Sequence, residues 1–203
     1  MDARTAELRA VDTALTLFGE RGVQAVGMDA IRTASGVSLK RLYQLFPSKD
    51  ALVEAVLRRR DEEVRTAIAA HAEASGAVSA YDRALDVFDH LARWFEEPGF
   101  RGCSFINAYG ELGGVSPGVA DLARAHKAAV RDYFSGLVAE LGGPPVLGAQ
   151  LAILADGAMA TAAISGTPRA AGEAKAAARV LLDAALSSGE GQGGPEPCSQ
   201  NAP

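Results

Sequence analysis

Four side chains that can hold a phosphate or a base edge lie within five consecutive positions: Lys40, Arg41, Tyr43 and Gln44. Two cations, a phenol and an amide are groups through which proteins contact the backbone and the bases of DNA. A helix that turns about 100° per residue places them on one arc. The apolar positions of the same segment fall on the opposite arc: Leu39, Leu42, Leu45 and Phe46. The pattern fits a helix that contacts nucleic acid, and it fits equally an amphipathic surface helix with a solvated basic face.

Charge is divided unevenly along the chain. The net charge is −5, but residues 1–60 contain ten Lys and Arg against seven Asp and Glu, whereas residues 61–203 contain ten against eighteen. A basic end on an acidic body indicates an anionic partner for that end alone.

The residues around the basic segment position it as the second helix of a helix-turn-helix motif. Gly36 ends a short helix predicted over residues 28–35, and Ser38 is a favoured N-cap for a helix over residues 39–46. Ser48 caps the long helix that follows. In such a motif the second helix enters the major groove of DNA, with its N-terminal residues leading.

Helical periodicity and capping residues predict an all-α fold of about nine helices. The predicted helices cover residues 3–21, 28–35, 39–46, 49–72, 79–95, 105–112, 119–141, 147–164 and 168–186. We expect a three-helix DNA-binding domain over residues 1–48 and a larger helical domain over residues 49–187. The Gly-, Pro- and Ser-rich residues 188–203 are expected to form a disordered tail.

Two patterns typical of enzymes occur in the wrong context. Residues 114–118 fit G-x-S-x-G, but that motif needs a preceding strand, and no strand is predicted. The glycines at 189, 191 and 194 fit a dinucleotide-binding pattern, but they lie in the predicted tail. We therefore expect a protein that is not an enzyme, without catalytic residues, metal or cofactor.

The chain also lacks the patterns of secreted and membrane proteins. Cys103 and Cys198 show no metal-ligand spacing, and no structural disulfide is expected between them. The charged N-terminus does not resemble a signal peptide. The longest apolar run, residues 151–164, is too short and too rich in alanine to span a bilayer. We expect a cytoplasmic protein with no membrane contact.

The segment "GVSLKRLYQLFPSKDALVEAVL", with "LTLFGERGVQAVGMDAIRTASGVS" before it, resembles the DNA-binding signature of the tetracycline-repressor (TetR) family of bacterial transcription regulators. The resemblance covers residues 5–60. It includes these positions: Phe18, Gly22, Ile31, Gly36, Val37, Ser38, Leu42, Tyr43, Phe46, Lys49 and Leu52.

The resemblance implies roles for individual residues. Those that would approach bases follow the Ser38 cap: Leu39, Lys40, Arg41 and Gln44. Tyr43 would contact phosphate, and so would Lys49 at the N-terminus of the fourth helix, assisted by the helix dipole.

Three positions depart from the family pattern. Gly27 stands where the family often has a threonine that caps the second helix and touches phosphate, so Gly27 offers only its backbone N–H. Leu39 replaces a commonly polar residue and would contact a thymine methyl. Arg32 occupies a place for a small residue, so its side chain must extend outward or the two helices must pack farther apart.

For the rest of the chain, the resemblance implies a domain that binds a small-molecule effector and forms a homodimer on near-palindromic operator DNA. The candidate ligand contacts are Trp94, Cys103, Phe105, Asn107, Tyr109, Phe134, Asp156 and Met159, although each fits a plain core position too. The last two helices are rich in Ala and Gly, which suits a two-fold helical interface. The alternative is a helical ligand-binding or scaffold protein that has lost sequence-specific DNA binding.

Overall fold

The computed structural model describes residues 1–190, except for the side chains at positions 69, 72, 73, 75 and 188–190. Within that range every regular element is an α-helix, which confirms the predicted all-α fold of nine helices. The helices are α1 (Ala3–Arg21), α2 (Met28–Ser35), α3 (Leu39–Leu45), α4 (Lys49–Ser75), α5 (Ala80–Phe95), α6 (Ser104–Leu112), α7 (Pro117–Glu140), α8 (Val146–Ser165) and α9 (Arg169–Glu190).

Local capping chemistry sets the ends of α2, α3 and α4. Gly27 is the N-cap of α2 and offers no side-chain bond, whereas Gly36 ends α2 in the left-handed conformation, with φ of 68°. The Ser38 hydroxyl accepts a hydrogen bond from the Arg41 amide at 3.3 Å and so begins α3. Ser48 does the same for α4, accepting from the Ala51 amide at 3.1 Å. These bonds satisfy amides that a helix start leaves unpaired, so the turn geometry follows from the local sequence.

Helices α1, α2 and α3 form an N-terminal unit around one apolar cluster. Leu42 of α3 is fully buried, and Ile31 and Val37 are 1% exposed. They belong to the same core cluster as Phe18 of α1 and Leu52 of α4. The apolar side of α3 is therefore fixed against the first two helices and the start of the fourth.

Helices α5 to α9 form a C-terminal unit, and α4 joins it to the N-terminal unit. With 27 residues, α4 is about 40 Å long, so it packs on α1 near its start and on α5 and α7 farther along. A Cβ on Gly148 of α8 would lie 2.5 Å from the Ser135 hydroxyl of α7, so that crossing requires glycine. Phe88 and Phe134, with ring centroids 6.1 Å apart, connect α5 to α7.

Helix α8 exceeds its predicted bounds by one residue at each end. It has 20 residues and a mean hydropathy of 1.5 in its most apolar window, so it is long and apolar enough to cross a membrane. The apolar run of residues 151–164, judged too short to span a bilayer, is only part of this helix. Core helices of soluble proteins meet the same length and hydropathy criteria, so this one helix is no argument for a membrane location.

Helix α9 also extends beyond its predicted end, from residue 186 to Glu190. The first residues of the predicted tail are therefore helical. The remainder of the predicted tail, residues 191–203 with Cys198, lies outside the described residues.

Candidate nucleic-acid interface and internal cavity

Helix α3 separates its polar and apolar side chains as predicted. Lys40, Tyr43 and Gln44 are exposed, and Arg41 is half-buried. On the opposite side, Leu42 is fully buried and Phe46 is 4% exposed. The short helix thus exposes its cations, phenol and amide to solvent, while its apolar side is held in the core.

Two of these side chains form a pair, and two have no partner. The Arg41 guanidinium donates a hydrogen bond from Nη1 to the Gln44 Oε1 at 3.1 Å, which leaves the Gln44 amide nitrogen free to donate. Within residues 1–190, Lys40 Nζ and the Tyr43 hydroxyl make no hydrogen bond or ion pair. An exposed cation and phenol without internal partners can accept a phosphate without losing an existing bond.

The other predicted DNA-contact residues lie around α3. Gly27 is exposed at the N-terminus of α2, and its carbonyl accepts from the Ala30 amide at 3.1 Å. Lys49 is half-buried, and its Nζ donates to the Gln24 carbonyl at 3.4 Å. Leu39 is half-buried against the core, so only part of its side chain can reach a base.

Arg32 resolves the spacing problem by extending outward. Its side chain is 49% exposed and pairs with Asp29 at 3.1 Å, so α2 and α3 pack without a buried guanidinium between them.

An internal cavity of about 160 Å³ lies between α4, α5, α6, α7 and α8. Four of the eight predicted ligand contacts line it: Trp94, Cys103, Phe105 and Met159. Beside it, a larger crevice of about 340 Å³ separates α1 and α4 from the loop that precedes α6. The cavity and the crevice share Trp94 as a wall.

The structure does not bring the other four predicted ligand contacts into this cavity. Asn107 lines the crevice and donates to the Arg101 carbonyl at 2.9 Å. Tyr109 is 47% exposed, and Phe134 is 1% exposed in the core. Asp156, the acid that interrupts α8, accepts a hydrogen bond from Lys127 at 2.6 Å.

His126 lies in the cavity wall, and sequence analysis did not select it. Its side chain is only 6% exposed, and its ring stacks on Phe105 with centroids 3.7 Å apart and planes 4° from parallel. Its Nδ1 lies 2.7 Å from the Asp61 carboxylate of α4. Within the described part of the chain, its Nε2 has no hydrogen-bond partner.

The His126–Asp61 pair consists of a neutral imidazole and a carboxylate. Burial lowers the pKa of His126, against the opposing effect of the Asp61 hydrogen bond. For Asp61, burial acts to raise the pKa, but hydrogen bonds from His126 and Arg65 outweigh it and leave the pKa lowered. The Nδ1 proton is therefore donated to Asp61, and Nε2 keeps a lone pair that can accept a hydrogen bond.

Glu111, near the end of α6, ties the two units together and was also missed. Its carboxylate accepts hydrogen bonds from the Val23 amide at 2.9 Å and the Gln24 amide at 2.7 Å. Its carbonyl accepts from the Gln24 side chain at 2.8 Å. A Cβ on the neighbouring Gly22, whose φ is 83°, would lie 3.2 Å from the same carboxylate. No local pattern indicates this contact, because 88 residues separate Glu111 from Val23.

The outer side of α8 and α9 is apolar and uncovered. Ile153 is 69% exposed, Ile164 is 88% exposed and Val180 is 67% exposed. The small residues Gly157 and Ala160 lie between the two isoleucines on the same side of α8. Several alanines expected at an interface, Ala152, Ala155 and Ala178 among them, are instead buried within the chain.

Comparison with known proteins gives one consistent result. Residues 10–56 match the family model described as bacterial regulatory proteins, tetR family. A TetR-family transcriptional regulator from Streptomyces coelicolor is 28% identical over 90% of this chain and 97% of its own, with a TM-score of 0.82. A tetR transcriptional regulator from Streptomyces avermitilis is 31% identical over 89% and 97%, with a TM-score of 0.78.

A more distant TetR transcriptional regulator, from Chloroflexus aurantiacus, shares the fold at 21% identity, with a TM-score of 0.78 over 89% of this chain and 96% of its own. No curated protein sequence matches the chain. The match over the helix-turn-helix and the whole-chain similarity to the Streptomyces avermitilis regulator agree with the exposed polar side of α3. The chain belongs to the tetR family of bacterial transcription regulators.

Proposed function

We propose that this regulator is a repressor that binds near-palindromic operator DNA as a homodimer and responds to a small molecule held in the C-terminal unit. The observation that carries the proposal is the side of α3 formed by Lys40, Tyr43 and Gln44, exposed above the fully buried Leu42. A short helix fixed in this way can enter a major groove without rearrangement.

The contacts divide between bases and phosphates. Lys40, Arg41 and Gln44 extend from the first turns of α3 towards base edges, and the exposed part of Leu39 suits a thymine methyl. The groups suited to phosphate are the Tyr43 hydroxyl, the Lys49 ammonium and the backbone N–H of Gly27. Ser38 acts through its cap, which fixes where α3 begins.

The homodimer would form through the outer side of α8 and α9. Large apolar side chains such as Ile153 and Ile164 are costly to leave in water, and small residues between them allow a second helix to approach closely. Two copies related by a two-fold axis would present two α3 helices to the two half-sites of an operator.

The effector would act through α6. Its first turn, at Ser104 and Phe105, lines the internal cavity, and Glu111 lies about 10 Å farther along the same helix. Because Glu111 holds the amides of Val23 and Gln24, a shift of α6 changes the position of the N-terminal unit. The expected coupling is about 1–3 kcal/mol, or roughly a 5- to 150-fold change in DNA affinity.

DNA binding is tested by titrating the protein against a labelled duplex from the region upstream of its own gene, with random duplex as reference, across a salt series. We expect affinity to fall steeply with salt because bound counterions are released. The double variant Lys40→Ala/Arg41→Ala should lose the preference for the upstream duplex, at about 1–3 kcal/mol per side chain.

The matched control is Arg124→Ala/Arg131→Ala, which removes two exposed cations from α7 and should keep the preference. An unchanged preference in the α3 variant would exclude α3 as the DNA-contact helix. Absence of salt-dependent binding in the unmodified protein would instead favour a helical ligand-binding or scaffold protein.

The homodimer is tested by light scattering after size exclusion. Ile153→Glu should convert a dimer to a monomer, because it places a charge in the proposed interface. Val115→Glu places the same charge at a 78%-exposed apolar residue outside α8 and α9 and should leave the dimer intact. A dimer that survives Ile153→Glu would contradict an interface at this position.

A further inference from the structure

The size of the internal cavity limits what it can hold. Its volume is about 160 Å³. An apolar cavity of about 150 Å³ is large enough for benzene. The cavity therefore fits a single six-membered ring with a small substituent.

The lining of the cavity has a polar end and an apolar end. Three polar residues line both the cavity and the adjoining crevice, which identifies them as its mouth: Arg60, Glu97 and Ser104. The residues that line the cavity but not the crevice include the apolar side chains of Val64, Ile68, Leu91, Val130 and Met159. A ligand that enters from the crevice must leave water for a mostly hydrocarbon environment.

Among the polar residues that line the cavity but not the crevice, His126 has a ring nitrogen without a partner. His126 is more than nine-tenths buried and lines the cavity, and its Nδ1 is engaged by Asp61, which does not line it. Its Nε2 is left as a hydrogen-bond acceptor without a donor among the described residues. Nε2 is not among the fully buried unpaired atoms, so a ligand that supplies a donor can reach it without displacing a bond within the protein.

The charges around the cavity do not suit an anion. Arg60 pairs with Glu63 at 3.3 Å, and its guanidinium carbon lies 5.2 Å from the centre of the Trp94 ring. Glu63 is bound by Arg59 as well, at 2.8 Å. Burial lowers the pKa of His90, as it does that of His126, so neither imidazole supplies a positive charge at neutral pH. A carboxylate ligand would have to compete with Glu63 for Arg60 and would lie near Glu97, which lines the cavity as well.

The remaining requirement is shape. Phe105 and His126, whose rings stack with nearly parallel planes, line the cavity together with Trp94 and supply its aromatic surface. Flat apolar walls favour a planar ring over a branched aliphatic molecule of equal volume.

We propose that the cavity binds an uncharged, single-ring aromatic molecule whose hydroxyl donates a hydrogen bond to Nε2 of His126, which is a ligand of the phenol class. The role of this ligand as effector rests on the function proposed above, whereas its binding does not.

The test uses the full chain and three probes of similar size: phenol, toluene and benzoate. Isothermal titration should show phenol binding about two- to tenfold more tightly than toluene, the contribution of one neutral hydrogen bond. Benzoate should not bind measurably. His126→Phe keeps the ring stacked on Phe105 but removes the acceptor, so it should bind phenol and toluene equally well.

A second variant keeps the proposal testable if His126→Phe does not fold. Ala155→Leu fills the cavity from α8, keeps both His126 and Asp61 in the sequence, and should abolish binding of both neutral probes. Unchanged phenol binding in Ala155→Leu would place the ligand elsewhere and overturn the proposal. So would equal affinities for phenol and toluene in the unmodified protein, or tighter binding of benzoate.

DNA titrations separate this proposal from the proposed function. If no probe binds while salt-dependent, sequence-specific DNA binding is intact, the ligand class is wrong and the regulator proposal stands. If phenol binds as expected but leaves DNA affinity unchanged, the cavity assignment stands and the effector role fails.

Discussion

The exposed side of α3 and the internal cavity place their polar groups in opposite environments. On α3, the polar side chains come from consecutive positions and extend into solvent above the buried Leu42. In the cavity, the side chains come from five helices, and His126, whose Nε2 has no hydrogen-bond partner among the described residues, is only 6% exposed. A phosphate or base edge can be met by side chains that are solvated beforehand, whereas a small ring is held only where water has been excluded.

The two regions also differ in what keeps them in place. α3 depends on a cap and on the burial of a few leucine and phenylalanine side chains, which are contributions of its own segment. The cavity wall depends on the contact of α4 with α7 through Asp61 and His126. Glu111 belongs to neither region and connects them, because α6 begins at the cavity and ends against the N-terminal unit.

The largest expected effect is a loss of stability when the buried apolar side of α3 is truncated. Leu42→Ala removes a fully buried side chain and should lower the free energy of unfolding by about 2–5 kcal/mol, measured by urea denaturation. Leu8→Ala in α1 is the control, because its side chain is 43% exposed and its loss should cost about 0.5 kcal/mol or less. Equal effects would mean that α3 is not held by its apolar side.

The sequence predicts the α3 region well because everything that determines it is local. The Ser38 cap, the Gly36 turn and the two arcs of the helix wheel all lie within about a dozen residues, and the structure contains each of them. Helix ends were less certain where no cap residue marks them. α8 begins at Val146 after a proline without a side-chain cap bond, and its start was predicted one residue late.

The cavity could be predicted only in part, because tertiary packing selects its members. Aromatic and soft apolar residues were reasonable candidates, and Trp94, Cys103, Phe105 and Met159 do line it. His126 was not selected, since its partner Asp61 is 65 residues away and an isolated histidine has no pattern. Asp156 of α8 does not line the cavity and is paired with Lys127 of α7.

An intermediate effect is expected at the contact between the two units. Glu111→Ala removes the acceptor of two backbone amides and should destabilise the protein by about 1–3 kcal/mol. It should also reduce the change in DNA affinity that a bound ligand produces, measured by anisotropy with and without ligand. Asp121→Ala in α7 removes an exposed carboxylate paired only with Arg124 and should change neither quantity.

A full ligand response in Glu111→Ala would show that the signal travels along α4 alone, from Asp61 and Arg60 to Lys49. In that case α6 would line the cavity without passing the ligand signal to the N-terminal unit, and Glu111 would not couple the two regions.

The smallest expected effect is a pH dependence of stability that originates in the C-terminal part of the chain. The three histidines are His71, His90 and His126, so no histidine lies in α1, α2 or α3. Burial lowers the pKa of both His90 and His126. In the unfolded chain both return to an ordinary pKa of about 6.5. The unfolded state therefore binds more protons than the folded state as the pH falls below about 6.5, and stability must decrease in that direction.

Urea denaturation at pH 7.5, 6.5 and 5.5 measures this decrease. His126→Phe should flatten the dependence, and His90→Phe should flatten it separately, because each removes one imidazole that must stay neutral when folded. The lowered pKa of Asp61 acts in the same direction but at more acidic pH, where its carboxylate takes up a proton and stability is lost. A stability that rises between pH 7.5 and 5.5 would mean that His126 is protonated in the fold, and Nε2 would then be a donor that favours an anionic ligand over a phenol.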